Sequence, residues 1–233
     1  GFLVALALEK WNLHRRVALT VLAAVRPQPR LIVGGFMLVS AALSMWVTNT
    51  ATTIMLLPVA MSVIRMLPDS AGPDGDIESF RVCLLLGIAY AASVGGMGTI
   101  IGTTPNAFVV SFVQDELNRT ISFFEWMRFA VPVVIVLVPI IWWVLTRWIF
   151  RLPENELPGA GAVIQQARLS LEPMNKGSRM MLVVFVLTAA GWIFRPLLNQ
   201  IEIGGALPLA GLTDAGIAML ATVILFVTPV NLR

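Results

Sequence analysis

The sequence predicts an all-α polytopic membrane protein built around a re-entrant helical hairpin and a discontinuous transmembrane helix. Three observations carry this expectation. Hydrophobic side chains make up 58% of the chain and charged ones 12%, with a mean hydropathy of +0.85, against roughly 45–50% apolar and about 25% charged in soluble domains. Two long runs contain no Asp, Glu, Lys or Arg: Leu31 to Ile64, with 34 residues, and Val82 to Gln114, with 33. Each is interrupted by a cluster that a continuous apolar helix does not favour. Finally, the basic residues are scattered singly between apolar spans.

Composition also excludes several classes. A net charge of +3 and a pI near 9.7 do not indicate nucleic acid, because no basic arm or aromatic-interleaved patch accompanies them. The single cysteine, Cys83, excludes an intramolecular disulfide, and the single histidine, His14, leaves no His-rich metal or haem site. Both read as bystanders. The chain opens on Gly1 inside an apolar run and stops at Arg233 after another, so an internal fragment is expected.

Residues 1–10 read as the end of a transmembrane helix, closed by Glu9 and Lys10. Residues 11–29 read as a basic amphipathic helix, Leu13 to Val25, lying in the membrane interface and stopped by Pro27 and Pro29. Residues 30–66 are the hairpin. Its charge-free run, bounded by Arg30 and Arg65, is long for one crossing and short for two, since each crossing needs about 20 residues. Two half-depth helices, Leu31 to Val47 and Ala51 to Ile64, fit better, joined by a Thr48-Asn49-Thr50 turn near the membrane midplane.

That turn lies in a knot of six polar residues within the ten from Ser44 to Thr53. Helix ends at such depth are tolerated only against protein or a watery cavity, so a binding site is the leading reading. Oxygens of Ser44, Thr48 and Asn49, with freed helix-end carbonyls, are hard ligands suited to a small cation such as sodium. The N-terminus of the returning half-helix, near Thr50, favours an anion such as a carboxylate at the same place. The competing reading has hydroxyls bonding back to their own helix or joining neighbouring helices.

Residues 67–80 are a polar loop whose acids, Asp69, Asp74, Asp76 and Glu78, lack the ligand ladder of a calcium site. Residues 81–118 form the discontinuous helix. Its break, GGMGTIIGTTPN from Gly95 to Asn106, sets Gly95, Gly96, Gly98 and Gly102 beside Pro105, which cannot continue a helical ladder. One half runs to about Val94 and the other starts at about Pro105. Tight packing through small residues is the alternative; a nucleotide loop is rejected, because no Lys-Ser/Thr follows the glycines.

A polar connection from Asp115 to Arg128 leads into a transmembrane helix over 126–150, closed by Trp142, Trp143 and Trp148 as an aromatic belt. A cytoplasmic linker without strong pattern (151–178), a transmembrane helix (179–195), an external loop (196–212) and a last transmembrane helix (213–230) follow. If the hairpin enters from the cytoplasm and returns while the glycine-broken helix crosses, 13 of the 16 Lys and Arg residues face the cytoplasm. The positive-inside rule favours that topology, and the protein is expected in the cell (inner) membrane as a multi-pass protein.

A hairpin tipped by Thr48-Asn49-Thr50 and followed by a helix broken at GGMGTIIGTTPN resembles the divalent-anion/sodium symporter (DASS) family, the sodium-coupled dicarboxylate and citrate carriers. That family carries Ser-Asn-Thr at the tip, so Asn49 and Thr50 agree, while Thr48 keeps the hydroxyl and adds a methyl. The resemblance covers Gly1 to about Arg151 by motif and the remainder by hydropathy order. It implies one part of an inverted-repeat secondary transporter. Ser44, Thr48, Asn49 and backbone groups around Gly95, Gly96 and Gly98 would form a sodium site, and Asn49 with Thr50 would contact a substrate carboxylate. Thr99, Gly102, Thr103, Pro105 and Asn106 would support the broken-helix loop.

The resemblance further implies uptake of a small divalent anion of the succinate, malate or citrate kind. Sodium would be co-transported, with no organic cofactor. It also implies a homodimer and an elevator-like motion against a scaffold that includes Phe129 to Leu145. A related sulfate or arsenical oxyanion carrier, or an anion exchanger, is the alternative, because hydroxyls, amides and helix N-termini bind any oxyanion. An intramembrane enzyme is not expected, since neither broken segment holds His, Asp, Glu, Lys or Arg for acid–base chemistry. A purely structural membrane scaffold would leave both breaks unexplained.

Overall fold

The computed structural model describes residues 2–65, 76–152, 159–202 and 207–228, and among them every regular element is helical. In chain order these are α1 (Phe2–Lys10), α2 (Leu13–Leu22), α3 (Pro29–Ser44), α4 (Asn49–Arg65), α5 (Asp76–Gly96) and α6 (Thr104–Leu117). There follow α7 (Phe123–Val144) with a π-helical turn at Leu145–Ile149, α8 (Ala160–Leu169), α9 (Lys176–Leu198) and α10 (Asp214–Val227). Three segments are long and apolar enough to cross a membrane: Ile77–Gly96, Phe123–Ile149 and Lys176–Leu198. Large side chains such as Phe129 and Phe226, each 79% exposed, face outward in a way that water disfavours and lipid accepts.

The core is organised by α3 and α5, which run side by side in the same direction. Gly87 lies against Val33 and Met37, the Ser40 hydroxyl donates to the Ile88 carbonyl at 2.8 Å, and Gly95 meets the backbone of Ala41. Because α3 and α5 are parallel, α4 between them has to lead back from the first break, and its later residues Val59, Ala60, Val63 and Ile64 share a core with α2 and α8. Helices α7 and α8 complete this body through Val134, Val138, Leu145, Ala160 and Ile164. A second cluster joins α1, α9 and α10 around Val4, Leu8, Met181, Val184 and Ala221, and Val47 of the first break reaches into it.

Several boundaries differ from the sequence reading, each for a local reason. The first break spans 45–48, not the Thr48-Asn49-Thr50 turn, so Asn49 and Thr50 open α4. The Thr48 hydroxyl accepts from Ala51 N at 3.4 Å, which is how an N-cap residue starts a helix before the apolar run does. Helix α7 starts at Phe123, so Glu125, Trp126 and Arg128 are helical and not part of a connection. A capping box accounts for this: Ser122 N donates to Glu125 Oε2 at 2.8 Å and Glu125 N donates to Ser122 Oγ at 3.1 Å. Asn175 likewise accepts from Ser178 N at 2.8 Å and starts α9 at Lys176.

The segment 151–178 is more than a linker, since α8 forms inside it and buries Ala160 and Ile164. Helix α5 begins before the charge-free run, carrying the Glu78–Arg81 pair at 3.4 Å in its first turns. It is therefore a 21-residue helix that breaks at its end, not a half-length one. Trp142 is not a simple interface anchor: its Nε1 donates to the Arg30 carbonyl at 2.9 Å and its ring covers Gly34. Asp69 and Asp74 of the acidic loop lie outside the described residues, and among the described residues no acidic or His/Cys cluster could hold a metal. His14 is buried, with Nδ1 3.2 Å from the Leu8 carbonyl, and burial lowers its pKa.

The Gly95 contact yields a stability test. A methyl there meets Ala41 backbone, which cannot rotate away, so Gly95→Ala should cost roughly 1–3 kcal/mol. Gly211→Ala, where an added Cβ meets nothing within 4 Å, should be neutral. Melting temperatures of the two purified variants in detergent check this.

Candidate functional site

The site forms where the end of α3, the start of α4, the end of α5 and the start of α6 come together. Both breaks leave backbone groups without helical partners, in surroundings too apolar to hydrate them. One hydrogen bond crosses between the two breaks, and others close each break locally. The Thr99 hydroxyl, fully buried, donates to the Met45 carbonyl of the first break. Within the second break, Gly98 N donates to the Gly95 carbonyl at 2.8 Å. Asn106, buried in the first turn of α6, donates through Nδ2 to the carbonyls of Gly96 and Thr99, both at 2.8 Å.

Oxygens gather around these anchors. The Ser44 hydroxyl, fully buried, donates to Asn49 Oδ1 at 2.6 Å across the first break. Asn49 Oδ1 in turn rests against the α-carbon of Gly96, which no larger residue would permit. At Gly102 a Cβ would meet the Gly96 carbonyl oxygen and lie 2.8 Å from that of Ser44. The carbonyls of Ser44 and Gly96 and the Asn49 amide oxygen therefore converge on one small region from two separate helices. It is lined by neutral oxygens, the ligand chemistry of a hard cation.

The residues expected to form the site divide into three groups. Ser44, Asn49, Gly95, Gly96, Gly102, Thr99 and Asn106 meet at this junction. Gly98 packs on the Met45 side chain, with Met45 Cε 2.9 Å from where its Cβ would be. Thr48, Thr50 and Pro105 are exposed at the rim and Thr103 is partly buried as the residue before α6. Thr48 and Thr50 thus open outward, beside first-turn N–H groups of α4 that a helix cannot pair internally.

Some contributors were not anticipated. Met45 enters through its carbonyl and Ala41 through its bare backbone, roles that no side-chain pattern announces. Thr52 is fully buried, and its hydroxyl has no hydrogen-bond partner among the described residues. Its spacing, one turn beyond Thr48, was the available signal. Trp46 connects the site to the second helix group: it stacks on Phe123 at 6.1 Å and meets Phe185 edge-on at 5.1 Å, while Phe123 stacks on Trp192 at 4.6 Å. Trp126 Nε1 donates to the Met97 carbonyl at 2.9 Å and holds the second break from the α7 side.

Two interrupted helices that meet at their breaks, with three span-length segments among the described residues, all helical, are the architecture of a secondary transporter's transmembrane region. The chain belongs to the sodium:sulfate symporter family, whose transmembrane region it matches over residues 1–231, the divalent-anion/sodium symporters that its two motifs resemble. It is 35% identical, over 98% of its length, to the sodium-dependent dicarboxylate transporter SdcS of Staphylococcus aureus strain bovine RF122 / ET3-1. It is 34% identical to the same transporter from strain NCTC 8325 / PS 47. The chain spans 44% of the length of these relatives.

Asn106 offers a test of the junction. Asn106→Ala would leave two buried carbonyls without their donor, so the protein should lose about 2–4 kcal/mol of stability. Asn106→Ser, which keeps a shorter donor, should recover part of it. Denaturation midpoints of the two variants are the measurement.

Proposed function

We propose that this chain forms the sodium-binding half of a carrier for small dicarboxylates, driven by the sodium gradient across the cell membrane. One observation carries the reading: the Ser44 and Gly96 carbonyls and Asn49 Oδ1 converge from two broken helices at a place without charged side chains. Such a site has oxygen ligands for a monovalent cation and no carboxylate to demand a divalent one. Of the glycines, Gly96 is the best candidate to lend its carbonyl, because that oxygen lies with the Ser44 carbonyl beside Gly102. Its bond from Asn106 leaves a second lone pair. Ser44 and Thr48 add hydroxyls, and Asn49, Thr50 and the N-terminus of α4 face a substrate carboxylate.

Coupling follows from linkage. A cation at the junction fixes the tip of the first break and offsets the charge of the incoming anion, so each ligand strengthens the other by the same free energy. In this reading α3 and α4 form a hairpin that enters from the cytoplasmic side and returns. The packing alters one part of the sequence expectation: α7, including Phe129 to Leu145, shares the core of the hairpin body. The body that moves then comprises α3 to α7, and the counter-body contains α1, α9 and α10. A homodimer remains part of the proposal through the family. Sulfate is the second substrate reading, supported by the family's description.

The test is uptake of labelled succinate by proteoliposomes containing the full-length protein that carries this chain. An inward sodium gradient should stimulate uptake, and Asn49→Ala should abolish it. Thr48→Ser should retain it, and Ser44→Ala should raise the half-saturating sodium concentration about tenfold, for loss of one hydrogen-bonding group at a charged ligand. Unchanged sodium-dependent uptake by Asn49→Ala would overturn the site. Sulfate uptake without succinate uptake would replace the substrate.

A further inference from the structure

A second polar cavity lies away from this junction, where α1 meets α2 and the α8–α9 connection passes beside them. It has a volume of about 430 Å³. The chain turns sharply at Asn12, which has a φ of 51°, so Lys10 at the end of α1 and Arg15 and Arg16 at the start of α2 line the same cavity. Asn12 and Asn175 add neutral amides, and Glu172 adds one carboxylate against the three cations. The Arg16 guanidinium donates to the Glu172 backbone carbonyl, which fixes the wall. Among the described residues neither Lys10 nor Arg15 has an ion-pair partner.

An apolar groove adjoins the cavity, and the two share Lys10 and Trp11 in their walls. The groove, about 310 Å³, runs between α1, α9 and α10 and is walled by Leu6, Ala7, Met180, Leu225 and Phe226. Trp11 stands at the junction with its ring held over Gly177, where no side chain could fit. A basic chamber beside an apolar groove, with a tryptophan shared by both walls, has the polarity profile of a phospholipid at the membrane interface.

We propose that this composite site binds an anionic phospholipid, with the phosphate among Lys10, Arg15 and Arg16 and an acyl chain in the groove beneath Trp11. A free phosphate would use the chamber alone, whereas the apolar groove adjoining it at Lys10 and Trp11 selects an amphiphile. The cytoplasmic placement rests on the topology proposed above, and the anionic character of that leaflet matches the cations. The site touches none of the residues at the helix breaks, so lipid binding is read without transport and its failure leaves the transport reading standing.

The experiment is native mass spectrometry of the delipidated full-length protein, titrated with phosphatidylglycerol, with phosphatidylcholine, or with soluble glycerol 1-phosphate. Phosphatidylglycerol should bind more tightly than phosphatidylcholine. The double variant Lys10→Gln/Arg15→Gln keeps Arg16 and its structural bond. It should weaken phosphatidylglycerol about thirtyfold, at about 1 kcal/mol per basic residue, and phosphatidylcholine by much less. Ala7→Trp, which fills the groove, should weaken the lipid and spare glycerol 1-phosphate. Equal phosphatidylglycerol binding by the parent and the double variant would overturn the proposal. So would glycerol 1-phosphate binding as tightly as the lipid, or Ala7→Trp without effect on the lipid.

Discussion

The structure depends on one constraint: a helix interrupted in apolar surroundings must find partners for the backbone groups at the interruption. Here two interruptions solve the problem for each other. Gly95 lets α5 touch the backbone of α3 at Ala41, and that contact brings the Thr99 hydroxyl to the Met45 carbonyl. Asn106 then ties the far side of the second break back to Gly96 and Thr99. A cluster of neutral oxygens is the by-product of this packing. In the proposed function stability and cation binding would draw on the same atoms.

The packing sorts the remaining helices by how they relate to that junction. Helices α2 to α5, α7 and α8 share one core, and α1, α9 and α10 form another. A third cluster joins them, in which Phe123 of α7 packs with Trp192, Ile217 and Ala218 of α9 and α10, and its ring contacts run from Trp46 at the first break through Phe123 to Trp192. Polar bonds fix its α7–α9–α10 end: Asp214 Oδ2 accepts from Phe123 N at 2.8 Å, its backbone carbonyl accepts from Trp192 Nε1 at 3.0 Å, and Oδ1 lies 3.2 Å from Arg195 Nε. Stacked and edge-on ring pairs of this kind add to the area they bury. This third cluster therefore joins the two groups of helices through both ring contacts and polar bonds.

Charge is distributed with the same economy. The helix breaks contain no ionisable side chain, so under the proposed function a cation and an anion would each be met by dipoles, and their opposite charges would favour joint occupancy. Ionisable groups stand at helix ends instead, as at Lys10, Arg15 and Arg16, which line one polar cavity.

The sequence by itself determined the helical class, the two breaks and most residues of the junction, because a polar or glycine cluster inside a charge-free run has few physical explanations. It placed the second break within two residues, since glycine and proline act locally on the backbone. It misplaced the starts of α4, α7 and α9, where single capping side chains at Thr48, Ser122 and Asn175 outweigh hydropathy. It also passed over α8, whose weak pattern becomes a helix when Ala160 and Ile164 find a core to enter. Only the tertiary structure decided that Ala41 faces Gly95, that the Gly96 and Ser44 carbonyls converge, and that α7 belongs with the hairpin. Those facts rest on backbone atoms, which every residue carries alike, and on contacts between segments some fifty residues apart, which no local pattern encodes.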